Sequence, residues 1–287
     1  MSPARLGFLA ATPGLGALVG HASLVGGPSP LAVSAACLGW GAFATAGVFF
    51  PWLEMFGRVL CRGPDHDARL ALTFDDGPHP VTTRRVLDLL AGTRHRATFF
   101  VLGDKARRHP DVIAEVAAGG HALGVHGDVH DRLHSFRSPG RVLREISAAQ
   151  DAIEAACGHR PRWFRPPLGH TSPNTMRGAR KAGVTLVGWS ARGYDGLPGR
   201  AAEAVVARVA RDLRAGSIVL LHDAAERDDF EPGALSALPA LLALLDARAL
   251  TSVALDGWLD APSGSSQENY SQSARETGPR PVSEQRG

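Results

Sequence analysis

Four short stretches carry residue types that can act chemically. In Leu70–Pro80 (LALTFDDGPHP) two adjacent carboxylates, Asp75 and Asp76, end an apolar alternation and precede a Gly-Pro turn. Side-by-side carboxylates repel each other unless a cation or a shared proton relieves them, so the pair is either a turn capping the next helix or part of a site. In Gly124–His130 (GVHGDVH) the histidines 126 and 130 stand four apart, which turns both imidazoles one way if a helical turn begins there. Twelve histidines in the chain make that spacing weak by itself. Joined to the aspartate pair, it describes a His-His-Asp metal centre with open positions for water, as hydrolytic enzymes use. In Trp163–Gly169 (WFRPPLG) Arg165 precedes two prolines. That rigid, non-helical exit presents a guanidinium and a bare backbone N–H to a site, or is a stiff loop with a surface arginine. Ile218–Asp223 (IVLLHD) ends an apolar run in His222, a satisfied structural residue or a general acid.

The elements around these stretches must place them together. The period of two in Leu70, Leu72 and Phe74 marks a strand, and Gly77-Pro78 stops it, so both aspartates fall at a strand's C-terminal end. From Ala68 to about Leu259 the pattern predicts strands at 70–74, 97–102, 121–125, 163–164, 184–189 and 217–221. Helices are expected between them at 82–90, 110–119, 139–157, 173–182 and 201–214. Such an alternation implies right-handed βαβ units and a parallel sheet, and a barrel of fewer than eight units satisfies the count. Ligand sites in these folds lie at the carboxyl ends of the strands.

With 287 residues the chain has room for one large α/β domain and an appendage. The net charge of +3 is small and spread out, which argues against a nucleic-acid stripe. Cys37, Cys61 and Cys157 lack CxxC spacing, so neither a disulfide framework nor a thiolate zinc site is expected. Leu31–Leu53 contains no charged side chain and predicts a transmembrane helix, with Phe49, Phe50 and Trp52 as an interfacial belt. Leu6–Val25, interrupted by Pro13, glycines and His21, reads as a second span joined by the Gly26–Pro30 turn, with a re-entrant or signal-like segment as the alternatives. Two spans leave the catalytic domain cytoplasmic; a single span permits an external one. The expected organisation is a membrane anchor over 1–60, a catalytic domain over 66–260 and a polar, disordered tail over 261–287, located at a bacterial-type cell membrane.

The order TFDDGP, HxxxH, FRPPxG and LLH, over about 70–222, resembles the polysaccharide deacetylase family, the NodB-homology group or family 4 carbohydrate esterases. The resemblance implies an α/β fold, a distorted (β/α)7 barrel, and a metal-dependent hydrolase removing an N-acetyl or other N-acyl group from amino sugars. It assigns Asp76, His126 and His130 to a divalent metal, Zn2+ first, with Co2+ or Ni2+ as alternatives. It assigns Asp75 to the catalytic base, Arg165 to orienting that base, the Leu168 backbone N–H to the oxyanion, and His222 to the general acid. Leu220 matches the lining of the acetyl-methyl pocket, with Pro166 and Trp189 in the same substrate pocket.

The chain departs from the family pattern at three places. Gly127 stands where Ser or Thr is usual, and Leu168 where an aromatic is usual. In WSARGYDG, Arg192 replaces an acid, Asp195 is kept and Gly196 replaces Trp. The acid that steadies the catalytic arginine is therefore missing, and Asp195 is the expected substitute. Fewer aromatic platforms favour a small or lipid-linked N-acylated sugar over a polymer such as chitin. A monomeric enzyme is expected; the alternative is an inactive, glycan-binding member of the family.

Overall fold

A computed structural model describes residues 1–24 and 27–259. The expected tail at 261–287 and part of the Gly26–Pro30 turn lie outside the described residues. Two helices come first, α1 (Pro3–Leu24) and α2 (Pro30–Phe49). The strands are β1 (Arg69–Asp75), β2 (Ala97–Val101), β3 (Ala122–Val125), β4 (Trp163–Phe164), β5 (Thr185–Leu186), β6 (Ala191–Arg192), β7 (Ile218–His222) and β8 (Thr251–Ser252). Between and after them run α3 (Thr82–Leu90), α4 (Gly103–Arg108), α5 (Pro110–Ala118), α6 (Pro139–Cys157), α7 (Pro173–Lys181), α8 (Ala202–Asp212), α9 (Ala234–Ala247) and α10 (Asp256–Leu259).

All strand pairs are parallel, in the order β5-β4-β3-β2-β1-β7-β6, with β8 beside the start of β1. The sheet curls into a half-barrel, and β5 and β6 do not pair with each other. The segment leading in from the N-terminal helices bridges that gap: Leu60 pairs with Val187 and Arg62 with Ser217. The sequence-based count of six strands omitted the two-residue β6 and β8, which are too short to show a period.

Strand alternation divides the core in two. Leu70, Leu72 and Phe74 face the helical layer with Phe99, Val86 and Ile146. Ala71, Phe100, Trp163, Ile218 and Trp258 fill the inside of the curl as a separate apolar plug. Because β1 places Thr73 and Asp75 on the same face as Ala71, the polar residues sit above that plug, at the strands' C-terminal ends. Register then aligns the ends: Asp75 lies opposite His222, and Val125, just before His126, lies opposite Phe164, just before Arg165.

The antiparallel pair α1 and α2 is joined by stacking of Phe8 on Trp40 and by the Trp40 Nε1–H bond to Thr12 Oγ1. Of the described helices only α2 is long and apolar enough to cross a membrane, which does not bear out two clear spans. The helix ends at Phe49, short of Leu53, because Pro51 begins a 3-10 turn and Glu54 follows at φ +50°. Its end touches the α/β domain. The Thr171 N–H donates to Val48 O and its hydroxyl to Gly47 O, both at 3.1 Å, and Phe49 meets His170 edge-on.

Candidate active site

The two aspartates are adjacent in sequence but serve different neighbours. Asp75, still in the strand, accepts a hydrogen bond from Arg165 Nη1 at 2.7 Å. Asp76 leaves the strand at φ +73°, a left-handed conformation that costs a non-glycine residue roughly 1–2 kcal/mol. The turn points its Oδ1 at His126 Nε2 (3.4 Å) and His130 Nε2 (3.6 Å). Both carboxylates are buried, at 4% and 7% exposure, so each needs compensation from its own partner.

His126 follows β3 directly, and its Nδ1–H donates to Arg165 O at 2.8 Å, which leaves the Nε2 lone pair facing Asp76. Burial pushes its pKa down to about 3, so the imidazole is neutral, as a ligand must be. His130 is reached by an irregular loop and not by the helical turn expected from the spacing. Gly127 stands at φ +100°, where a Cβ would lie 3.0 Å from Val129 O. That turn is closed to ordinary side chains, which explains the glycine and rules out a helix through it. The donor atoms of Asp76, His126 and His130 nonetheless lie within 4.8 Å of one another. Asp76 Oδ1 is buried without a hydrogen-bond partner. Two imidazole nitrogens and one orphaned carboxylate oxygen fit a divalent cation of the zinc type with positions left open.

Arg165 is completely buried. Its guanidinium donates to Asp75, to Thr73 Oγ1 (2.9 Å), to Gly188 O (2.9 Å) and to Val187 O (3.4 Å), and lies 4.2 Å from the Phe100 ring centre. An ion pair this deep is tolerable only because the remaining protons are satisfied. Asp195 is not among these partners, which corrects the expectation that it replaces the missing acid. Carbonyls and a threonine do that work, and Thr73 was legible only as the polar position within an apolar alternation.

Asp195 instead serves His222. Its Oδ2 accepts the His222 backbone N–H at 2.7 Å, and its Oδ1 lies 3.3 Å from Nδ1. Burial opposes charge on this imidazole. Asp195 first, then Asp76 and Asp75, outweigh it and raise the pKa to about 10. Gly196 permits this approach, since a Cβ there would stand 2.7 Å from the His222 ring. Arg192 turns away and stacks on Tyr194, 4.1 Å from its ring centre.

The remaining expected residues border this cluster. Leu168 stands at φ +59°, is 47% exposed, and its N–H donates to no described residue. Trp189 packs against the following Gly169 and near the Arg165 guanidinium. Pro166 is buried, and the half-buried Leu220 shares a face of β7 with His222. Sequence reasoning passed over Glu226, whose Oε2 lies 3.3 Å from His130 Nδ1; nothing in its spacing marks it.

Comparison with known proteins finds deacetylase relatives. The family model described as polysaccharide deacetylase matches residues 62–187. A chitooligosaccharide deacetylase of Sinorhizobium fredii is 38% identical over 176 residues, 60% of this chain and 80% of the relative. A peptidoglycan-N-acetylglucosamine deacetylase of Bacillus cereus is 31% identical over 173 residues, 60% of this chain and 62% of the relative. The crystal structure of the Bc1960 peptidoglycan N-acetylglucosamine deacetylase superposes with a TM-score of 0.65 at 27% identity, covering 73% of this chain and 95% of that one. With its half-barrel, its split aspartate pair and these relatives, the chain belongs to the polysaccharide deacetylase family, the NodB-homology or family 4 carbohydrate esterase group.

Proposed function

We propose that the protein is a metal-dependent N-deacetylase that hydrolyses the N-acyl group of an amino sugar. The observation that carries the reading is the division of Asp75 and Asp76 between Arg165 and the two histidines. Asp76, His126 and His130 would hold the cation, Zn2+ in preference to Co2+ or Ni2+. When bound, it supplies a Lewis acid for the amide carbonyl and makes water more acidic.

The chain's own groups perform the proton transfers. Asp75, paired with Arg165, takes a proton from the attacking water. The free Leu168 N–H donates to the oxygen that becomes negative as the carbonyl turns tetrahedral. His222, charged through Asp195, gives its proton to the departing amine nitrogen. The half-buried Leu220 provides an apolar wall for the acyl methyl. Retention of Asp75, Arg165 and His222, all buried or paired, supports an enzyme over an inactive binding module, which would need none of them together.

The junction between α2 and Thr171 supports membrane anchoring close to the site, since Leu168 is three residues from that contact. Exposed Phe49, Phe50 and Trp52 lie at the same helix end, the position of an interfacial belt. This favours a lipid-linked or small N-acylated sugar over a long polymer. The test is acetate release by the purified, zinc-reconstituted protein from polymeric, oligomeric and lipid-linked N-acetyl sugars. No release from any of them overturns the enzyme reading; faster release from soluble chitin oligomers than from every lipid-linked sugar overturns the membrane-presented substrate. Protease accessibility on intact cells assigns the side of the membrane.

A further inference from the structure

We propose that Glu226 is a positioning residue for the metal site: its carboxylate faces His130 Nδ1, favours the proton on that nitrogen and so keeps Nε2 as the lone-pair donor. The inference rests on the metal-binding reading above and extends it to a residue outside the donor set.

The two imidazoles are arranged alike. His126 turns Nε2 toward Asp76 Oδ1 because its Nδ1–H is committed to Arg165 O at 2.8 Å. His130 also turns Nε2 toward Asp76 Oδ1, so its Nδ1 must carry the proton if Nε2 is to donate a lone pair. A buried N–H of this kind needs an acceptor, and ligand histidines ordinarily find a carboxylate or a carbonyl. The carboxylate at Nδ1 is Glu226, with Oε2 at 3.3 Å. At that separation the pair is a close charge contact and not a hydrogen bond: Nδ1 is a buried nitrogen with no hydrogen-bond partner among the described residues, a gap that a small turn of the Glu226 carboxylate closes.

Glu226 is itself held in place. Arg132, two residues beyond His130, donates to the same Oε2 from Nη2 at 2.6 Å and from Nε at 3.1 Å. Its backbone is fastened next door, where the buried Lys105 Nζ donates to Ala225 O at 2.8 Å. The carboxylate comes from the loop after β7, four residues past His222, while His130 and Arg132 come from the loop after β3. The contact therefore crosses the mouth of the half-barrel over the ends of β2 and β1. One loop carries the proton donor for the leaving amine and the brace for a metal ligand.

The test is zinc affinity of the full-length protein, stripped with a chelator and titrated against a chromophoric competitor. Glu226→Ala is expected to weaken zinc binding by about 10- to 100-fold. Glu226→Gln, whose amide oxygen still accepts, recovers most of that loss. Glu231→Ala, on the same loop but paired with Arg85, leaves affinity unchanged. Affinity of Glu226→Ala equal to wild type overturns the proposal, and so does an equal loss in Glu231→Ala, which would mean general loosening of the loop. Wild-type protein that binds no zinc at all removes the metal reading as well; wild type that binds while Glu226→Ala is indifferent removes this inference alone.

Discussion

Asp195 holds His222 at two points, through the backbone N–H at 2.7 Å and through Nδ1 at 3.3 Å. A carboxylate so placed keeps the imidazole charged well above its ordinary range, to about 10. Asp195→Asn is therefore expected to move the alkaline limb of kcat/KM to lower pH. Without that carboxylate the charged imidazole gives up its proton at lower pH; separately, the raised folded pKa contributes stability that is fully present below the unfolded value of about 6.5 and lost as pH rises through the folded pKa. A cation held beside Asp76 would offset part of the rise, so the limb is expected to lie lower in zinc-loaded protein than in the metal-free form. An unchanged pH profile in Asp195→Asn would show that His222 does not control this limb.

The separate partners of Asp75 and Asp76 predict separable defects. Asp75→Asn should lower turnover by about 10²- to 10⁴-fold, the usual worth of a general base, with zinc content intact. Asp76→Asn should lose zinc and activity together. Metal analysis of both variants decides the matter, and zinc loss in Asp75→Asn would exchange the two roles.

Arg165 is buried with Asp75 against Phe100. Truncation to Met leaves a buried carboxylate without its counter-ion, which costs about 3–5 kcal/mol. Denaturant unfolding of the metal-free protein should show that loss, independently of any catalytic effect. A change below about 1 kcal/mol, the range of exposed pairs, would mean that water reaches the pair.

Gly127→Ser restores the residue type common in the family and should nevertheless destabilise this chain. At φ +100° with Val129 O close by, a side chain costs about 1–3 kcal/mol of backbone strain. Lower stability with weaker zinc binding is the expected pair of readouts. Wild-type values for both would show that the His126–His130 loop relaxes freely.

Much of the fold was legible in order. Thr82–Leu90 and Pro139–Cys157 form helices at the expected residues, because an apolar stripe, proline starts and glycine ends are local signals. The strand bearing Asp75 was equally plain from its alternation and the Gly-Pro stop. The helix α4, the long apolar α9 and the two-residue strands β6 and β8 went unread. The strands are shorter than one detectable period, and uniformly apolar α9 shows no strong stripe.

Residue identity, spacing and strand ends determined which side chains could act: two aspartates, two histidines, an arginine before two prolines and a histidine closing an apolar strand. Which acid serves which partner was a matter of three dimensions. The positive φ of Asp76 separates it from Asp75, the Gly127 turn and not a helix brings His130 to His126, and the position of β6 beside β7 gives Asp195 to His222 and not to Arg165. Each of these depends on where backbone groups far apart in the chain come to lie. Hydrogen bonds and close approach act over a few ångströms of space, and local sequence carries no record of that distance.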